Sequence, residues 1–99
     1  MKDYAAMSDF EINCRVHTEV MEISGLDSFK AKDYCNNLAD AWPIIVDKQI
    51  SLISRCANGE WKAQLHLGRD DIFDSYASCW DKNPLRAAMV VFLMMKEGE

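Results

Sequence analysis

No glycine-rich phosphate loop can be built from this sequence: its four glycines stand at positions 25, 59, 68 and 98, none with the spacing of a P-loop or a dinucleotide fingerprint. Basic excess is missing too. Eleven Lys and Arg face 16 Asp and Glu, a formal charge of −5, so the long-range field opposes a phosphate backbone and direct nucleic-acid binding is not expected. The start, Met1-Lys2-Asp3-Tyr4, runs into polar sequence with neither the apolar stretch nor the small-residue cleavage site of an export signal, which points to the cytoplasm. The longest apolar run, Leu85 to Met95 with Arg86 inside it, is shorter than the ~20 residues of a spanning helix, so no membrane partner is expected. There is no CxxC pair, and with no sign of secretion Cys14, Cys35, Cys56 and Cys79 read as free thiols.

What is present suits a small folded unit. With 49% hydrophobic and 10% aromatic residues, the 99-residue chain reads as one domain over residues 1–99 with its own core. Met7-Ser8-Asp9-Phe10-Glu11-Ile12 contains a capping box: the Ser8 hydroxyl accepts from the Glu11 N–H, and the Glu11 carboxylate accepts from the Ser8 N–H. The helix that starts there carries Ile12, Val16 and Val20 as one buried stripe, with Met7 and Ile12 as a hydrophobic staple, and ends before Gly25. Residues 26–36 read as a loop with a short strand around Phe29. Asn37, followed by Asp40, opens a second helix, in which Pro43 predicts a kink or a later start.

Asn58-Gly59 favours a two-residue hairpin turn over residues 50–67. With Ala57 facing Glu60, one face pairs Cys56 with Trp61, Ser54 with Ala63, Leu52 with Leu65 and Ile50 with Leu67, and is nearly all apolar. Residues 68–82 read as an acidic, partly helical loop anchored by Ile72, Phe73, Tyr76 and Trp80. Asn83-Pro84 then supplies an N-cap and a first-turn proline for a helix over Leu85 to Lys96. Apart from Arg86 and Lys96 that helix is apolar all round, so something must cover several sides of it. Either it lies between the hairpin and the other helices, or its Met89, Phe92 and Met95 surface forms a homodimer contact. The elements predict an α+β fold with the hairpin packed against helices.

The chemistry-bearing residues each have a plainer reading. Cys14 and His17, three apart on a helix, offer zinc only two ligands, and Asp70, Asp71 and Asp74 lack the glycine and terminal glutamate of a calcium loop; no metal or cofactor is expected. Cys35, just before a predicted helix N-terminus, is the best candidate for an activated thiol, against the commoner inert buried cysteine. The run Asp33-Tyr34-Cys35-Asn36-Asn37 with Asp40 and Trp42 is the densest cluster of hydrogen-bonding and aromatic side chains, suited to recognition or to local capping around a core tryptophan.

Ser8-Asp9-Phe10-Glu11-Ile12-Asn13, Asp33-Tyr34-Cys35-Asn36-Asn37, Ala39-Asp40-Ala41-Trp42-Pro43-Ile44-Ile45, Ile50-Ser51-Leu52 and Asn83-Pro84-Leu85-Arg86-Ala87-Ala88 resemble the NinX-like proteins of lambdoid phages and prophages. The resemblance covers most of the chain and implies a small α/β/α-type sandwich of unknown biochemical function, with no catalytic residues to carry over. The expectation is therefore a phage accessory protein that binds a host or phage protein without catalysis. Its candidate contact residues are Tyr34, Asn36, Asn37, Asp40, Trp42 and Arg86. Two alternatives stand beside it: a small-molecule binder or small enzyme with a pocket near Cys35, Asp40 and Arg86, and an acidic mimic of DNA.

Overall fold

The computed structural model of the protein describes residues 4–21, 32–54, 59–70 and 73–97. A 3-10 turn at Tyr4–Ala6 leads into α1 (Asp9–Met21), α2 (Leu38–Lys48), β1 (Ser51–Ile53), β2 (Trp61–Asp70), β3 (Phe73–Asp81) and α3 (Pro84–Glu97). The strands form one antiparallel sheet in the order β1-β2-β3. The class is α+β, as expected. Among the described residues the layers run sheet, α3, then α1 and α2, so the apolar helix is the middle layer of the sandwich.

Each helix start follows from its sequence. Ser8 Oγ accepts from the Glu11 N–H at 3.1 Å, and Glu11 Oε1 accepts from the Ser8 N–H at 3.3 Å. Asn37 caps α2 through the Ala39 N–H at 2.9 Å. Asn83 Oδ1 caps α3 through the N–H groups of Leu85 and Arg86. Helix α2 runs through Pro43 without a later start. It stops at Gln49, which takes the left-handed conformation (φ 55°, ψ 47°) while its N–H and that of Ile50 return to the carbonyls of Val46 and Ile45. The stripe on α1 is shorter than expected: Ile12 and Val16 are fully buried, but Val20 is exposed and the polar Asn13 and His17 are buried instead. The predicted end of α1 and the strand around Phe29 lie outside the described residues.

Two strand expectations are corrected. First, β1 pairs Ser51 with Gln64, Leu52 with Ala63 and Ile53 with Lys62, two residues away from the register that a two-residue turn would give. A shift of two preserves the alternation, so Leu52, Ala63 and Leu65 still share the inner face. Leu67 does not join them. It is the extra residue where the ladder slips between His66 and Gly68, and it is exposed. Second, residues 68–82 are not an acidic loop: β2 extends to Asp70, and Phe73–Asp81 is the third strand.

Strand β3 escapes a hydrophobic pattern search because its inner residues, Ala77 and Cys79, are small and its outer ones, Tyr76 and Trp80, are large. Small residues are what the packing demands. Ala63 and Ala77 on the sheet and Ala87 and Ala88 on α3 are all buried, which suits a helix lying close on its sheet. Residues Ala87 to Leu93 are seven consecutive buried positions, covered by the sheet on one side and by α1 and α2 on the other. The apolar surface of Met89 and Phe92 is thus satisfied inside the chain.

Candidate functional site

The turn around Asp33 to Asn37, just before α2, is pinned from three directions. Its own backbone closes through the Asp33 carbonyl, which accepts from the Asn36 and Asn37 N–H groups. Buried Asn13 on α1 donates to Asp33 Oδ1 at 2.9 Å and accepts from the Cys35 N–H at 3.0 Å. From the start of α3, Asn83 Nδ2 donates to the Cys35 carbonyl at 2.6 Å and to Asn36 Oδ1 at 3.2 Å. Asn36 Nδ2 in turn donates to Asp9 Oδ2 at 3.1 Å. This cluster binds its own chain, and no buried side-chain nitrogen or oxygen among the described residues is left without a partner.

Arg86 completes it. Its guanidinium contacts Asp9, reaches Asp81 Oδ2 at 3.2 Å, and donates to the Tyr4 and Met7 carbonyls at 3.1 and 2.6 Å. With four partners and a largely buried side chain, Arg86 has little left to offer an anionic ligand. Cys35 is equally committed. It has no exposed surface, and burial, with the Asp9 carboxylate as a smaller contributor, pushes its thiol up to about 12. Helix α2 begins only at Leu38, three residues on, so the expected helix-terminus activation of that thiol does not operate.

The expected recognition residues therefore divide. Tyr34 is buried, and its hydroxyl shares a 3.0 Å hydrogen bond with His17 Nδ1. Burial raises its pKa, with Asp40 adding to the shift. Asn36 and Asn37 sit at the surface but spend their polar groups on the network and on the α2 cap. Asp40 is half buried in the first turn of α2. Trp42 alone points outward as a large apolar group, 52% exposed, so it is not the core tryptophan of the plainer reading.

Trp42 has company that sequence reasoning passed over. Leu38, 57% exposed, and Val46, 55% exposed, lie one turn to either side of it, a bare apolar line about 12 Å long. The buried side of α2 is supplied separately by Ala41, Ile44 and Ile45. More apolar residues than one buried stripe can hold was the available signal.

A second exposed surface is the outer face of the sheet. There Lys62 Nζ lies 5.2 Å from the Trp80 ring centroid, and His66 stacks obliquely on Tyr76 at 5.1 Å between ring centroids. Two open grooves lie away from the turn: one of ≈310 Å³ where Tyr4, Cys14 and Arg15 meet Leu93, Lys96 and Glu97, and one of ≈420 Å³ between Val20, Pro43, Asp47 and Phe92. Neither contains Cys35, Asp40 or Arg86, and among the described residues no three His, Cys, Asp or Glu side chains gather as a metal site. No described helix is long and apolar enough to cross a membrane.

Compared with known proteins, the chain is matched over residues 3–96 by a family model described as "Bacteriophage P22, NinX". No curated protein and no solved structure matches it.

Proposed function

Because the chain belongs to the bacteriophage P22 NinX family, we propose that it is a phage or prophage accessory protein working in the host cytoplasm as a non-enzymatic binding module for a host or phage protein. The observation that carries this reading is the Leu38, Trp42 and Val46 line on α2, each residue more than half exposed. An apolar line of this kind at four-residue spacing is what a partner helix or groove grips. The contact is accordingly α2 with Trp42 at its centre, while Tyr34, Asn36 and Asn37 hold the turn before that helix and its cap in place.

The test compares proteins retained from host and phage-infected lysates by the wild-type chain and by Trp42→Ala and Val46→Glu. A partner held in near-stoichiometric amount by the wild type and lost by both folded variants is the expected result. Equal retention by all three removes the α2 surface from consideration. Retention that persists at high salt separates an apolar contact from the acidic DNA mimic, whose binding would be screened.

A further inference from the structure

We propose that two copies of this chain pair antiparallel along the free edge of β3, joining their sheets into one six-stranded sheet with a two-fold axis at Ser78. Strand β3 is nine residues long and, among the described residues, is bonded on one side only, to β2, because it ends the sheet order β1-β2-β3. The other edge strand has three residues. Natural edge strands are guarded by lysine, proline, bulges or short length. Phe73–Asp81 contains neither lysine nor proline, its ladder irregularity is the extra Leu67 of β2, and among the described residues the elements packed most closely on it are β2 and α3.

The occupant follows from the order of residues along the strand. Tyr76 and Trp80 are exposed and Ala77 is buried, so even-numbered positions face outward. Antiparallel pairing about Ser78 sets Tyr76 opposite Trp80 of the second copy twice and Ser78 opposite Ser78. Aromatic pairs at directly facing positions are among the pairings that stabilise a sheet. Inside, Ala77 falls opposite Cys79, so the small-residue layer continues across the junction.

Sedimentation equilibrium on the full chain under reducing conditions tests this, together with two substitutions at half-exposed Ser78. The wild type should run at twice 11.3 kDa in the micromolar range. Ser78→Lys brings two ammonium groups face to face and should weaken association by at least about a hundredfold while the circular dichroism of the monomer is unchanged. Ser78→Cys should oxidise to a dimer linked through position 78, because directly opposed antiparallel residues lie within disulfide reach. A wild type that stays monomeric up to millimolar concentration overturns the proposal. So does a dimer that neither Ser78→Lys disrupts nor Ser78→Cys links.

Discussion

At the scale of single residues, position mattered more than residue type. Cys35, which precedes a helix, is the best candidate for an activated thiol against the commoner inert buried cysteine, and the inert reading holds: its backbone N–H and carbonyl are held by Asn13 and Asn83, which seats the sulfur inside the core. Its thiol titrates near 12 in the fold, against an ordinary value of 9.0. The unfolded chain therefore releases this proton first as pH rises, so the stability associated with the neutral thiol is complete below pH 9.0 and is lost toward about 12. Urea midpoints measured between these limits should fall for the wild type and fall less steeply for Cys35→Ala. Arg86 carries a parallel lesson. A lone arginine beside a hydrogen-bonding cluster suggests an anion site, but here two carboxylates and two carbonyls of the same chain already occupy it. Removing it in Arg86→Ala leaves Asp9 and Asp81 without their cation and should cost about 3 kcal/mol in chemical denaturation.

At the scale of elements, the helix starts were legible locally. Ser8 with Glu11, Asn37, and Asn83 with Pro84 each mark a helix start through a hydrogen bond made within three residues, and such a bond needs no knowledge of the rest of the fold. Strands depend on distant partners. The Leu52, Ala63 and Leu65 face was legible because alternation survives a register shift of two, whereas the pairing itself lies two residues from the register that a two-residue turn at Asn58-Gly59 would set. Strand β3 was missed because its large side chains face away from the core, which inverts the usual reading of Tyr76 and Trp80. The α2 surface was only partly legible: Trp42 was picked out, but in a cluster where Tyr34, Asn36, Asn37 and Arg86 make contacts within the chain. The same helix ends on a side-chain-bearing residue at positive φ, Gln49, where glycine is the usual occupant. Gln49→Gly should therefore raise stability by about 0.5 to 1 kcal/mol, seen as a higher thermal midpoint with no change in far-ultraviolet circular dichroism.

At the scale of the whole molecule, the sequence's apolar C-terminal segment announced a helix that needed covering, and the structure answers with cover on both sides. The sheet has no contact with α1 or α2 that rivals its contact with α3, so the layers are joined through this one helix. Synthesis delivers α3 after every other element described here. Until it arrives, the sheet and the two outer helices each present an apolar face with nothing to set against it. Folding of this domain therefore waits on its last 14-residue helix, and a fragment truncated before Pro84 should be handled by the cell as an unfolded chain, exposed to proteases and chaperones, rather than as a shortened protein with part of its structure intact.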